Sequence, residues 1–431
     1  MLAAHPDLAP PGPAAGLAAA DVDGDGQVEV LVISPAGPLQ TYRWTGSALR
    51  PAAPVGPVVG AVGMLAAGDH DGDGAEELYV PLPGGRADAL LKLCPDGWRD
   101  LLADPLNRPA RGPAGRVAAA LDRRGDGRFG FLVGSDTWPL RLLERGRDGR
   151  LADLAPPLAL AHVVAARGVV AGPLLGPAAD VFVTAEGGAN LFFRGRGDGT
   201  FDAAADGLAD ADEHARGCAM VDVGGAAGLC WANWDGPHRL AAPGPDGRWR
   251  DRTSPAFALP SAGRGVVVAD LDNDGYEELF ALQDGEPNRL FRLLPDDNGL
   301  SLVKLDAGAA ADFAATSAVV ADVNHDGVPE LLLAGPAGVG VFRARAAGGW
   351  LRLVPRTRFG APARGASVRA RVGGRDVLRV IDGGAHEPVA HFGRAAGPAV
   401  ERVTVTWPDG SSLTLRDPDV NCTYDVPYPA G

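Results

Sequence analysis

The sequence predicts an all-β protein, most of it a seven-bladed β-propeller over residues 1–350. Three observations predict it. A nine-residue acidic pattern, Asp-x-Asp/Asn-x-Asp-Gly-x-x-Glu, is written four times, and each copy runs straight into an apolar β-type run. With weaker echoes counted, the pattern returns seven times at a period near fifty residues, the mark of an array of small β units. The 61 Gly and 37 Pro punctuate a chain that is still 46% hydrophobic, which suits dense turns around a core rather than disorder.

The first loop offers Asp21, Asp23, Asp25, the backbone carbonyl of Gln27, and Glu29. The second offers Asp69, Asp71, Asp73, the carbonyl of Ala75, and Glu77. The third offers Asp270, Asp272, Asp274, the carbonyl of Tyr276, and Glu278; the fourth offers Asp322, Asn324, Asp326, the carbonyl of Val328, and Glu330. So many oxygens in one short loop repel one another unless a hard cation sits among them, and Ca²⁺ is the usual choice. About four structural Ca²⁺ sites are expected. Glycine at position 6 (Gly26, Gly74, Gly275, Gly327) permits the sharp turn.

An EF-hand starts in the same way but needs a bidentate Glu at position 12 and then a helix. Position 12 is here Val32, Val80, Ala281 and Leu333, and the acid stands at position 9. Runs such as Val30-Leu31-Val32-Ile33 and Leu331-Leu332-Leu333 follow, so each loop is expected to tip a β-hairpin. Three echoes fill the middle of the chain. One starts at Asp122, with Arg124 and Gly130 at ligand positions. One spans Gly172 to Asp180. One starts at Asp222 and runs through Gly224-Gly225, a residue short. Loop starts then fall at 21, 69, 122, 172, 222, 270 and 322.

These repeats resemble the FG-GAP/VCBS repeats of integrin α-subunit propellers. They resemble more closely those of the cartilage acidic protein 1 family, in which Asn-x-Leu-Phe, as at Asn288–Phe291 here, is followed by Gly-Asp-Gly-x-Phe, as at Gly197–Phe201 after the related Asn190–Phe193. That family carries a C-terminal ASPIC/UnbV domain. Matching markers are Gly365-Ala366-Ser367-Val368, Gly383-Gly384, His391-Phe392-Gly393 and Trp407-Pro408-Asp409-Gly410. The resemblance implies a small β-sandwich-like domain over 351–431 and a calcium-binding, non-enzymatic adhesion or binding scaffold of extracellular type. Its partner would be a protein or a polysaccharide. The alternatives are a calcium-stabilised propeller enzyme acting on polysaccharide, as lyase or hydrolase, and an accessory protein of a biosynthetic or assembly pathway. The chain departs from the family in its three decayed loops and in Arg394, which follows the His-Phe-Gly motif.

The net charge is −14. The four loops supply much of it, with four acidic ligands in each of the first three and three in the fourth. The acidity argues against nucleic acid, which demands a basic footprint. No run of eighteen apolar residues marks a membrane span, and residues 1–20 show no secretory leader. No catalytic constellation stands out: Gly-x-Ser-x-Gly is absent, and His386 and His391 are expected to pack rather than bind metal. Two Arg-Gly-Asp tripeptides, at 124–126 and 196–198, fall in a decayed loop and a hairpin turn. Residues 351–380 hold eight Arg and one acid, Asp376. In Ser367–Val372 the apolar residues alternate with Arg369 and Arg371, which favours a solvated strand face, with docking onto the acidic loops or an anionic glycan as the lesser reading. Cys218 and Cys230 flank the fifth loop, where a disulfide across the hairpin competes with two buried free thiols.

Overall fold

The computed structural model describes all residues except 11, 36, 55, 58, 59, 61, 62, 205, 206, 296–299, 396–398, 430 and 431. The all-β expectation is met: the only helical segments among the described residues are short 3₁₀ turns such as Pro105–Ala110. Among the described residues the repeats form seven successive four-stranded antiparallel units, of which the fifth and sixth join into one eight-stranded sheet through Trp234 opposite Ala262. Their first strands are Gly16–Ala20, Ala66–Gly68, Val117–Leu121, Ala166–Gly172, Ala215–Val223, Ser261–Ala269 and Ser317–Ala321. Each first strand pairs with the next through a hairpin, and the acidic loops tip these hairpins, as in Gly16–Ala20 with Glu29–Ile33. Repeats are numbered below by these sheets. The seventh sheet takes its fourth strand from the start of the chain, where Ala3 lies opposite Arg343 and Ala4 opposite Phe342.

The strands are apolar on both faces, and the alternation sorts their side chains into two neighbouring cores. Leu17, Ala19 and Val30 of the first sheet pack with Val319 and Leu332 of the seventh. Ala18, Ala20 and Leu31 pack instead with Ala67 and Leu78 of the second. The same sharing runs through every neighbouring pair of sheets. Small residues prevail on the first strands; the larger Leu31, Tyr79 and Phe131 stand on the second strands.

Two further sheets hold the C-terminal residues. Gly348–Pro355 pairs antiparallel with Ala390–Ala395 and parallel with Thr423–Val426. The other sheet runs Arg375–Val380, Ser367–Val372, Val400–Thr406, Ser412–Arg416. Leu351 and Leu353 of one and Val368, Val403 and Val405 of the other share a single core with Trp407.

Between these C-terminal strands, the segment 382–389 reaches the first strands of four repeats. Gly383 accepts from Ala120 N–H at 2.7 Å, Ala385 accepts from Ala19 at 2.8 Å, and Gly383 and Glu387 donate to Ala171 and Val320. A Cβ on Gly383 would stand 1.9 Å from the Ala120 carbonyl oxygen, so only glycine allows this approach.

Candidate metal centres

Each intact loop is organised by its own carboxylates. The position 1 acid accepts from the position 6 glycine N–H: Asp21 from Gly26 (3.0 Å), Asp69 from Gly74 (3.0 Å), Asp270 from Gly275 (2.9 Å) and Asp322 from Gly327 (2.8 Å). The position 9 Glu accepts from the position 2 N–H: Glu29 from Val22, Glu77 from His70, Glu278 from Leu271 and Glu330 from Val323. The position 5 acid accepts from position 7 N–H, as Asp25 does from Gln27, Asp73 from Ala75, Asp274 from Tyr276 and Asp326 from Val328. These bonds curl the chain so that alternate side chains converge.

Convergence brings Asp21, Asp23 and Glu29 within 4.8 Å of one another through one oxygen each, and likewise Asp69, Asp71 and Glu77, and Asp270, Asp272 and Glu278. The fourth loop, with Asn324 at position 3, keeps the same turn bonds. Position 1 and position 9 acids are buried; position 3 and 5 acids lie nearer solvent. Burial pushes the carboxyls up, to about 6 for Asp21 and Asp69, about 7 for Asp270 and Glu29, and about 8 for Glu77, Glu278 and Glu330. An all-oxygen donor set of this kind fits a hard cation. Asp21 Oδ1, Asp270 Oδ1 and Glu330 Oε1 are buried without a hydrogen-bond partner, as oxygens reserved for a metal would be.

A basic side chain from the third strand of the same sheet leans into every intact loop. Arg43 contacts Asp23, Asp25 and Glu29. Lys92 Nζ lies 2.8, 2.7 and 2.7 Å from Asp71, Asp73 and Glu77. Arg292 meets Asp272, Asp274 and Glu278, and Arg343 meets Asp326 and Glu330. The first loop sets four acids against Arg43 and Arg356, the second four against Lys92 and Arg145, and the fourth three against Arg343 and Arg352, so acids outnumber bases in each of these. The sequence reading missed Arg43, Lys92, Arg292 and Arg343, although their recurrence about 22 residues after position 1 is a visible signal.

The decayed loops hold together by other means. Asp122 still accepts from Asp126 and Gly127, while Arg123 pairs with Glu144 and donates to the Gly199 carbonyl at 2.7 Å. Asp180 accepts from Leu175 and Gly195. The fifth loop is no shortened metal loop but a two-residue hairpin turn, Gly224-Gly225, with Val223 paired to Ala226 and both glycines at positive φ. That register also rules out a staple. Cys218 lies opposite Trp231 and Cys230 opposite Ala219, so the two thiols point to opposite faces and join different cores. Both are free.

Outside the Ser367–Val372 strand, where Arg369 is exposed, the arginine-rich stretch is not a solvated face. Three of its arginines are buried against acidic groups of the repeats. The Arg364 Nε donates to Glu76 at 2.6 Å, Arg379 Nη1 lies 3.1 Å from Glu277, and Arg352 bridges Asp322 and Glu387. Those glutamates in turn accept from position 1 N–H groups: Glu76 from Asp21, Glu277 from Asp222 and Glu387 from Asp322. Arg375 donates to the Gly275 carbonyl and lies 4.0 Å from the Tyr276 ring centroid. The alternation argument holds locally, since Val368, Ala370 and Val372 are buried and Arg371 meets Asp376 of its own hairpin. It does not reach arginines whose partners lie far away in sequence.

Both C-terminal histidines are buried or packed against hydrogen-bond partners. His391 Nε2 bonds Asn273 Oδ1 at 2.7 Å, and His386 Nδ1 accepts from Val320 N–H. Gly393 N–H donates to Asp270 Oδ2, so the His-Phe-Gly triplet sits directly on the loop of repeat six. The first Arg-Gly-Asp is covered: a Cβ on Gly125 would meet Asp409, and Arg358 donates to the Gly125 carbonyl. In the second, Arg196 pairs with Asp202 of its own hairpin.

The FG-GAP-like repeat family matches residues 8–80 and 270–333, and the ASPIC and UnbV family matches 357–431. The chain is similar to cartilage acidic protein 1 of Homo sapiens, at 37% identity over 79% of this chain and 58% of that protein. It is 35% identical to the Xenopus tropicalis protein of that name, over 77% of this chain and 58% of the other. The chain thus spans somewhat over half the length of these curated relatives, none of which is named as an enzyme. Among solved structures, BBS1N in complex with ARL6DN matches with a TM-score of 0.51 at 10% identity, over 80% of this chain and 95% of that one. At that identity the likeness concerns the fold alone.

Proposed function

The chain belongs to the cartilage acidic protein 1-like family, and on that premise we propose that it is a non-enzymatic, calcium-stapled binding scaffold of extracellular type. Its repeats form a seven-bladed β-propeller, a reading supported by the shared cores between every neighbouring pair of sheets, the seventh and first included. A C-terminal domain beginning near residue 351 is supported by the pairing of Gly348–Pro355 with Ala390–Ala395 and Thr423–Val426.

Calcium is held by the acids at positions 1, 3, 5 and 9 of the loops at 21, 69, 270 and 322, with Asn324 replacing one acid, and by the position 7 carbonyls of Gln27, Ala75, Tyr276 and Val328. Once bound it neutralises the carboxylates and fixes the hairpin tips. The observation that carries this reading is the set of buried loop carboxylate oxygens left without a hydrogen-bond partner. Loops of this open, partly solvated kind fill at the millimolar calcium found outside cells. A non-catalytic role is supported by the engagement of the buried acids Glu76, Glu277 and Glu387 in arginine pairs.

Thermal unfolding with and without EDTA, joined to calorimetric calcium titration, tests the proposal. About four sites and a large calcium-dependent rise in melting temperature are expected. An unchanged melting temperature would remove the metal and leave the loops as arginine- and lysine-neutralised turns.

A further inference from the structure

Each first strand runs toward its acidic loop, so the opposite ends of these strands gather on the other side of the repeats. They surround a cavity of about 590 Å³. Four arginines line it: Arg116, Arg167, Arg216 and Arg264. They hold one place in four consecutive repeats, because 116, 216 and 264 each precede position 1 of their loop by six residues and 167 precedes Gly172 by five. At the matching place repeats one, two and seven carry Ala15, Gly63 and Thr316, which line the same cavity without charge. The mouth is therefore basic on one side, in a chain whose net charge is −14.

Three carboxylates serve these four guanidinium groups. Arg167 bridges Asp136 and Glu186, Arg216 reaches Glu186, and Arg264 lies 2.7 Å from Asp284. Among the described residues, the carboxylate that Arg116 approaches is Asp136, at 3.7 Å. The Nε of Arg216 is buried with no partner. Its guanidinium lies 5.1 Å from the ring centroid of Trp234, which also lines the cavity. Arg116 and Arg264 are the outer pair, 39% and 38% exposed, against 14% and 17% for Arg167 and Arg216. Burial and the nearby Arg167 both disfavour the charge on Arg116, whose mutual repulsion with its neighbours an arriving anion would relieve.

We propose that this mouth binds a carboxylate-bearing sugar, a uronate unit of an acidic glycan. The inference rests on the reading of the protein as a binding scaffold and names its ligand class. Guanidinium forks match a carboxylate bidentately. The indole of Trp234 supplies an amphipathic ring surface for a sugar. A cavity of this size takes a small ligand and not a folded protein surface, which needs roughly 800 Å² of contact on each side. The acidic surface elsewhere repels a polyanion and leaves the arginine side as its point of entry.

Calorimetric titration of the calcium-loaded full chain with a galacturonate trisaccharide tests the proposal, with its methyl ester and a hexaglutamate peptide as comparisons. Saturable binding of the free acid is expected, none of the ester, and a loss of roughly tenfold or more in the double variant Arg116→Gln/Arg264→Gln. Both substituted side chains are the exposed members of the set, and an unaltered calcium-dependent melting temperature will verify that the variant is folded. The proposal is overturned by absence of saturable binding, by equal binding of ester or variant, or by tighter binding of hexaglutamate, which would make the ligand an acidic peptide. If the titration fails while calcium still raises the melting temperature, the glycan mouth falls and the scaffold reading survives. If both fail, both fall.

Discussion

In repeat two, Asp69 accepts backbone hydrogen bonds from Gly72, Asp73 and Gly74, and Lys92 of the third strand reaches into the acidic loop beside it. In repeat three, Asp122 accepts from Asp126 and Gly127 in the same way, but the charges around it are exchanged. There the loop supplies Arg123 and the third strand supplies Glu144, at the place matching Lys92. Gly130 at position 9 makes room, for a Cβ there would stand 2.6 Å from Glu144 Cγ. The position 1 acid therefore performs two separable tasks. It organises the turn in both repeats, and it offers a metal ligand only where positions 3 and 9 also carry oxygens. Loss of the second task leaves the first intact, so the hairpin of repeat three keeps its shape. The FG-GAP-like match to 8–80 and 270–333 follows the same divide.

Calcium removal should separate the two regions most sharply. At a hundredfold excess over Kd each proposed site stabilises the native state by about 2.7 kcal/mol. EDTA should thus lower the melting temperature strongly, and hydrogen exchange should quicken at the hairpins tipped by residues 21, 69, 270 and 322 while Asp122 and Asp222 stay protected. Uniform quickening across all seven hairpins would erase the distinction. Next in size is Arg364→Ala. Arg364 is 1% exposed and bonds Glu76 together with the carbonyls of Gly384 and His386. Stranding Glu76 should cost about 3–5 kcal/mol in urea unfolding, with or without calcium. A cost seen only in calcium would tie this pair to the metal instead.

Acid should expose the calcium-independent side. His238 of repeat five is buried, accepts from Asn233 N–H and bonds Ser261, and burial holds its pKa down from 6.5 to about 4. The unfolded chain binds the proton near 6.5, so the stability from neutral His238 is full above about pH 6.5 and drains away as the pH falls toward 4. Relative to His238→Gln in EDTA, the wild-type chain should lose roughly 3 kcal/mol over that window. Parallel pH profiles for the two proteins would deny His238 the role. The smallest effect concerns the turn itself. Asp122→Ala strips the partners from two N–H groups and should cost about 1–3 kcal/mol. Asp69→Ala should cost a similar amount in EDTA and clearly more in calcium, and a matching cost in calcium would mean that Asp69 holds only the turn.

Much of the fold was legible because its signals are local. Carboxylates two residues apart, a glycine at position 6 and a run such as Val30–Ile33 all lie within one hairpin, and their recurrence displayed the seven units. The parts that escaped depend on distant partners. Arg364 meets Glu76 across 288 positions, and Arg379 meets a glutamate that was passed over because it stands at position 8 of its loop. Strand parity could have refused the Cys218–Cys230 bridge once the turn was known to have two residues, but the nine-residue frame of the loop suggested otherwise. The arginines of the mouth carry a periodic signal at six residues ahead of the loop. It was hidden because apolar first strands drew attention to burial, and because three of the seven repeats break the series.

The pairing of Ala3 and Ala4 with Phe342 and Arg343 sets an order in time. During synthesis at roughly 5–20 residues per second, the strand at Ala3–Ala4 waits some tens of seconds for its neighbour. Through that interval the earlier sheets can pack pairwise, but the last sheet stays a strand short and the first keeps an uncovered flank. Residues made early complete the last sheet, so damage at Ala3 or Ala4 in the nascent chain would be felt in repeat seven and not where the lesion lies.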